Sequence, residues 1–296
     1  MVTTKRTIAD KFKDLLKNVR TQNDATVSSR RRAITRRLNQ DFWDSYSDTD
    51  HTRYIGSYGR GTEIKGASDV DLMARLPSSL YSRYDSYLGN GQSALLQAVR
   101  DSIRKTYSST DVGGDGQVIV VRFSDGIKFE VVPAFIRTDG SYTYPDSNAG
   151  GSWKKMDPIA EIEAIDLANA RHNKKVKHLA RMARAWRTKN NVSMSGLLID
   201  TLAYDFMAGW EYNDKSFVYY DWMTRDFLKY LYEQDRDRRY WYAPGSNQRV
   251  YRSGVFEYKA GQAYRESLEA IECEAQGREY SANEHWKNIF GSVFTG

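Results

Sequence analysis

The stretch Ser68-Asp-Val-Asp-Leu-Met-Ala-Arg75 decides how the rest of the chain is read. Its residues alternate as in a strand: a period of two puts Asp69, Asp71 and Met73 on one face and Val70, Leu72 and Ala74 on the other. Two carboxylates aimed the same way suit hard cations, which take oxygen ligands. The spacing alone is a weak signal. Asp235-Arg-Asp237 repeats it, and such pairs usually sit on a solvated surface.

The surroundings set the first pair apart. Upstream, Arg53-Tyr-Ile-Gly-Ser57 is strand-like and runs into the glycine-rich turn Tyr58-Gly-Arg-Gly-Thr62. At that strand end the backbone N–H groups of Gly56 and Ser57 and the serine hydroxyl can hold phosphate oxygens. Gly59 and Gly61 let the backbone come close to a nucleotide. Downstream, Gln117–Phe123 and Ile127–Val132 read as strands joined by the hairpin turn Ser124-Asp125-Gly126. There Lys128-Phe-Glu-Val-Val-Pro133 sets Glu130 in an otherwise apolar strand, on one face with Lys128 and Val132. A charge in such a strand needs a cation or an ion pair. The plain alternative pairs Glu130 with Lys128 across an exposed sheet face. Phosphoryl transfer from a nucleoside triphosphate calls for such a set: two Mg²⁺ ions about 4 Å apart neutralise the phosphates and activate the attacking hydroxyl. Asp69, Asp71 and Glu130 are therefore the candidate catalytic residues and metal ligands.

Around this centre, Ile8, Phe12, Leu15, Leu16 and Val19 repeat at helical spacing, and a second helix covers about 24–46. Its Arg30–Arg32 run reads as a solvated face. Ala94–Tyr107 is a third helix, and Gly113-Gly-Asp-Gly116 breaks the chain. From Trp153 onward the periodicity is helical over Pro158–His172, Lys174–Lys189, Leu197–Ala208, Asp221–Gln234 and Ala260–Ala275. The Gly-, Ser-, Asn- and Pro-rich stretch Tyr142–Gly151 is the expected boundary. This gives an α+β chain of two lobes: a mixed-sheet lobe with N-terminal helices over 1–150, and a mostly helical lobe over 151–296.

The 296 residues suit two such lobes. A single cysteine, Cys273, excludes a disulfide framework, and with four scattered histidines (His51, His172, His178, His285) it leaves no zinc-ligand spacing. The N-terminus lacks the apolar core of a signal peptide, and no apolar run approaches the ~20 residues of a membrane span. The expectation is a cytoplasmic protein with no membrane partner and no zinc. A net charge of +6 favours polyanions without choosing among nucleic acids, membranes and triphosphates.

Gly56-Ser-Tyr-Gly-Arg-Gly-Thr62, Ser68-Asp-Val-Asp-Leu72 and Phe129-Glu-Val-Val-Pro-Ala134 resemble the DNA-polymerase-β-type nucleotidyltransferases. More narrowly, the chain resembles the bacterial cyclic-oligonucleotide synthases, relatives of animal cyclic GMP-AMP synthase. Leu179-Ala-Arg-Met-Ala-Arg-Ala-Trp186 and Ser195-Gly-Leu-Leu-Ile-Asp-Thr-Leu202 extend the likeness into the helical half. The resemblance implies a bilobed polymerase-β-like fold and an Mg²⁺-dependent enzyme, with Mn²⁺ as an alternative ion. Such an enzyme would join NTPs, ATP among them, into a cyclic di- or trinucleotide with release of pyrophosphate, in antiphage signalling.

It also implies that Gly56 and Ser57 cradle the triphosphate and that Asp69 and Asp71 bind both metals. Glu130 stands where most relatives carry Asp, and Arg184 where many place a Lys for the triphosphate, with Arg181 and Ser195 nearby. The plain reading of both arginines is an ordinary polar helix face. Lacking the animal sensor's zinc module, the chain is expected to need no nucleic-acid activator, and to act as a monomer open to a regulatory protein partner. Two other readings compete: a transferase that modifies tRNA, a small molecule or a protein, and a decayed transferase lobe that binds nucleic acid.

Overall fold

Strand β2 (Val70–Arg75) begins within the Asp-x-Asp pattern, and the chain around it runs in this order in the computed structural model. Before it come α1 (Ile8–Val19), α2 (Asp24–Phe42), β1 (Thr52–Tyr54) and the short α3 (Gly56–Arg60). After it come α4 (Ser78–Asp85), α5 (Gly91–Thr106), β3 (Asp111–Asp115), β4 (Val118–Arg122), β5 (Lys128–Ile136), β6 (Tyr142–Asp146) and β7 (Ser152–Met156). Helices then dominate: α6 (Pro158–Arg171), α7 (Lys175–Lys189), α8 (Gly196–Gly209), α9 (Tyr220–Tyr232), the hairpin β8 (Tyr240–Tyr242) and β9 (Arg249–Tyr251), α10 (Glu257–Ala275) and α11 (Glu279–Phe290). The structure describes residues 6–21, 24–66 and 69–296. Ser68, part of the sequence motif, lies outside them. The described residues form two compact units: 24–59 with 69–162, and 6–21 with 60–66 and 163–296. The α+β class expected from the sequence is the class observed.

The sheet unit holds a seven-stranded mixed sheet of order β1-β2-β5-β4-β3, with β6 on β5 and β7 on β6. Among the described residues only β2 and β5 pair in parallel, which requires a long crossover between them; α4, α5 and the β3–β4 hairpin supply it. Apolar residues on one face of the sheet (Val70, Leu72, Phe129, Val131) pack with Ile34 and Leu38 of α2 and Leu95, Val99 and Ile103 of α5. The alternate residues Met73, Val132 and Ala134 join Ile55 in a smaller cluster on the other face. Two of the arginines in the 30–32 run are packed rather than solvated. Arg30 pairs with Asp125 and lies 3.8 Å from the Phe123 ring centre, and Arg31 donates to the Thr52 carbonyl. The glycine run at 113–116 is not a break: Gly113 and Gly114 pair with Val120 and Ile119 in edge strand β3. The ladder, which propensity does not register, decides there.

In the helical unit, Phe12, Leu15, Leu16 and Val19 of α1 pack among Trp186, Leu198, Met223, Trp286 and Phe290. Lys11, fully buried, bridges Glu274 of α10 (2.5 Å) and Glu279 of α11 (3.3 Å). The first helix therefore belongs with the last ones. The chain enters the helical unit for good between Ile162 and Glu163 of α6. The stretch Tyr142–Gly151 is not a loop between lobes, since β6 pairs with both β5 and β7 there. No helix among the described residues is long and apolar enough to cross a membrane.

Candidate active site

The acids meet on the sheet unit's less covered face, because two neighbouring strands run parallel and in register. Asp71 of β2 stands directly opposite Glu130 of β5. Asp69 lies just before β2, on the same side by the two-residue period. Apolar neighbours enclose both acids: Val70 and Leu72 flank Asp71, Phe129 and Val131 flank Glu130, and all four are buried. The apolar partners fix the register, and the register sets the carboxylates. A slip by one residue would turn them into the core.

Lys128 completes the cluster. Its ammonium donates to Asp69 Oδ2 at 2.7 Å and to Glu130 Oε1 at 2.9 Å. These hydrogen bonds, to Asp69 first and Glu130 second, hold the lysine pKa above its ordinary value. The ion pair of Lys128 with Glu130 read from sequence thus exists, and it includes Asp69. Two of the three acids converge on a single cationic atom.

Gly56 opens α3 beneath Asp71. Its φ is +57°, and a Cβ there would lie 1.8 Å from Asp71 Oδ2. Only glycine satisfies both demands. The Asp71 carboxylate therefore stands against the first turn of α3, where Ser57 is half-buried. Packing constrains Gly59, and a φ of +64° constrains Gly61. A Cβ at Gly59 would meet the Tyr54 carbonyl at 2.6 Å, and one at Gly61 would meet Lys177 Nζ at 3.0 Å.

The helical unit holds the remaining sequence candidates. Arg184 is 2% exposed. It donates to both carboxylate oxygens of Asp200 (2.5 and 2.9 Å) and to the Gly196 carbonyl (2.9 Å). Arg60 and Thr62, from the end of the glycine-rich motif, donate to Asp200 Oδ2 at 2.8 and 3.0 Å. Burial alone would raise the Asp200 pKa, but the Arg184 and Arg60 guanidiniums outweigh it and hold the carboxyl below its ordinary value. Arg184, read by resemblance as a triphosphate contact, has its guanidinium engaged in this buried network. Arg181 is less committed. It reaches Glu63 at 3.4 Å, and its Nε and Glu63 Oε2 are buried without a hydrogen-bond partner. Ser195 caps α8, its hydroxyl accepting from the Leu198 N–H at 3.2 Å. Sequence reasoning missed Asp200. The signal was there, a carboxylate inside the apolar run Leu197-Leu-Ile-Asp-Thr-Leu-Ala203, which demands a buried partner.

The sheet-unit residues fit a hard divalent cation in donor chemistry. All three acids are oxygen ligands, and an ammonium already draws Asp69 and Glu130 to one point. As the side chains stand, no group of three His, Cys, Asp or Glu residues among those described encloses an ion position. Binding would require the acids to turn inward around a cation other than Lys128.

Comparison with known proteins bears on the fold and the family. No curated protein matches the chain. Among solved structures, CdnC of E. coli MS115-1, solved in complex with HORMA-deltaN, superposes with a TM-score of 0.68 at 15% identity, over 97% of this chain and 98% of that one. The CD-NTase CdnG of Bradyrhizobium diazoefficiens, solved with GTP, gives 0.66 at 12% identity over 97% and 96%. DncV of Vibrio cholerae, a cyclic AMP-GMP synthase solved with a linear intermediate, gives 0.66 at 13% identity over 83% and 70%. Residues 7–169 match the model of the Second Messenger Oligonucleotide or Dinucleotide Synthetase domain. That match spans more than half the chain, including α3, β2 and β5, and the chain accordingly belongs to this synthetase family, as a nucleotidyltransferase with the cyclic-oligonucleotide-synthase fold.

Proposed function

We propose that the chain joins nucleoside triphosphates, ATP and GTP among them, into a cyclic di- or trinucleotide second messenger, with Asp69, Asp71 and Glu130 as its metal ligands. The observation that carries this reading is the juxtaposition of Gly56, Asp71 and Glu130. A triphosphate held at the first turn of α3 lies beside the Asp71 carboxylate, and two anions in that position require a cation between them.

When bound, Mg²⁺, or Mn²⁺ in its place, neutralises phosphate charge and lowers the pKa of the attacking hydroxyl. The chain's own groups do the rest. The Gly56 and Ser57 N–H groups and the Ser57 hydroxyl donate to the β- and γ-phosphate oxygens. Asp69, Asp71 and Glu130 would hold the ions, Glu130 with a longer side chain than the Asp of most relatives. A ribose hydroxyl oxygen bonds to the α-phosphorus of a second NTP, the bond to the β-phosphate oxygen breaks, and pyrophosphate leaves with loss of the hydroxyl proton. A later transfer of the same kind closes the ring.

We assign catalysis to the sheet unit, 24–59 with 69–162, and a supporting role to the helical unit, 6–21 with 60–66 and 163–296. There Arg181 retains donor capacity for the triphosphate, Ser195 holds the start of α8, and Arg184 acts through Asp200. Control by a protein partner is inferred from the CdnC complex with a HORMA protein. Antiphage signalling, a cytoplasmic setting, a monomeric state and independence from a nucleic-acid activator are part of the same proposal.

Purified protein incubated with Mg²⁺ and the four NTPs tests it. A phosphatase-resistant product and released pyrophosphate, with no added acceptor, are expected. Turnover only on addition of a tRNA, a small molecule or a protein would replace this reading with an acceptor-modifying one.

A further inference from the structure

We propose that Lys128 is an internal counter-cation of the acidic cluster: it holds Asp69 and Glu130 together before any metal is bound, and an incoming divalent ion must displace it. This rests on the metal-site reading of Asp69, Asp71 and Glu130.

The geometry is specific. Lys128 Nζ touches one oxygen of Asp69 and one of Glu130, at 2.7 and 2.9 Å, the only ion pairs of either acid among the described residues. The lysine precedes Glu130 by two residues in β5, so the strand period puts both on one face. It bridges to the end of the neighbouring strand. Without it, carboxylates on paired strands would repel each other.

An ammonium and a divalent ion want the same carboxylate oxygens and repel each other at that range. They therefore compete. Lysine suits a plug that must leave. It is a point charge on a flexible four-carbon stem, where arginine would clamp a carboxylate in a planar fork. Its side chain is 30% exposed, so an outlet to solvent exists. The consequence is a metal affinity lower than the three acids alone would give, and an acid cluster already gathered before loading.

Mn²⁺ binding to the full chain without nucleotide, followed by electron paramagnetic resonance of the free ion, tests this apart from turnover. Lys128→Met and Lys128→Gln remove the charge while keeping much of the stem, and circular dichroism reports whether each folds. Both should bind Mn²⁺ at least about tenfold more tightly than the parent, the scale of one unit charge a few ångströms away under water-like screening. Both should also melt lower than the parent in EDTA and regain the difference when Mn²⁺ is added. Equal or weaker Mn²⁺ binding in the two variants, with binding lost in Asp69→Asn/Asp71→Asn, overturns the role of Lys128 and leaves the metal site standing. Unchanged Mn²⁺ binding in Asp69→Asn/Asp71→Asn overturns the metal site and this proposal with it.

Discussion

Asp71 is the side chain on which most depends, since it faces Glu130 across the ladder and Gly56 across the first turn of α3. Replacing Asp71 or Asp69 with Asn keeps shape and removes charge. Either change should lower turnover by at least about a thousandfold, matching the several kcal/mol a catalytic metal contributes, with the melting curve little altered. Steady-state assay beside thermal melting checks this. Gly56→Ala is the companion test. Its Cβ must push the Asp71 carboxylate aside, and the backbone must hold φ +57° against steric cost. Activity should fall on the order of a hundredfold for a displacement near 1 Å, far more than stability suffers. At this scale the sequence was informative where residue type and alternation sufficed, as for Asp69, Asp71 and Glu130. It was silent on the partners of Asp200, because pairing Asp200 with Arg60 and Arg184 requires knowing which distant segments touch.

Elements bring those segments together, and some of their logic shows in the sequence while some does not. The alternation in β2 and β5 was readable, since burial on one face imposes a period of two. The edge strand β3 was not, because Gly113 and Gly114 carry no side chain to signal pairing. The place of α1 was also hidden: an amphipathic stripe says that a face is buried but not against what, and Lys11 reaches α10 and α11 at the far end of the chain. Asp200 on α8 joins the end of the glycine-rich motif to α7 through two buried guanidiniums. Asp200→Ala strands both charges and should cost about 3–5 kcal/mol in denaturant unfolding. A loss under about 1 kcal/mol would mean the network is dispensable.

Helix α9 supplies a pH test. Asp221 in its first turn is buried, which pushes its pKa up from an ordinary 3.8 to about 6. The unfolded chain gives up this proton first, so the group is neutral to stability below about pH 4. Stability is then lost as pH rises toward 6 and the loss stays constant above. Asp221→Asn should therefore be more stable than the parent at pH 7, by about 3 kcal/mol, and the two should converge near pH 4. A pH-independent difference would show that Asp221 does not titrate in this way.

For the molecule as a whole, the order of a mixed sheet followed by helices was legible because the hydrophobic period changes after Trp153. The grouping into units was not, since α1 and residues 60–66 pack with a part of the chain far from them in sequence. At this scale the proposed activity rests on carboxylates from two parallel strands, set beside the first turn of α3, in an enzyme that would join nucleotides to one another and then into a ring. Mass spectrometry of the products formed from Mg²⁺ and the four NTPs tests it most directly, run on the parent chain and on Asp69→Asn/Asp71→Asn. The parent should yield a species with the mass of two or three nucleoside monophosphates each less one water, resistant to phosphatase, and the double variant none. Linear products alone, or the same cyclic species from both proteins, would contradict it.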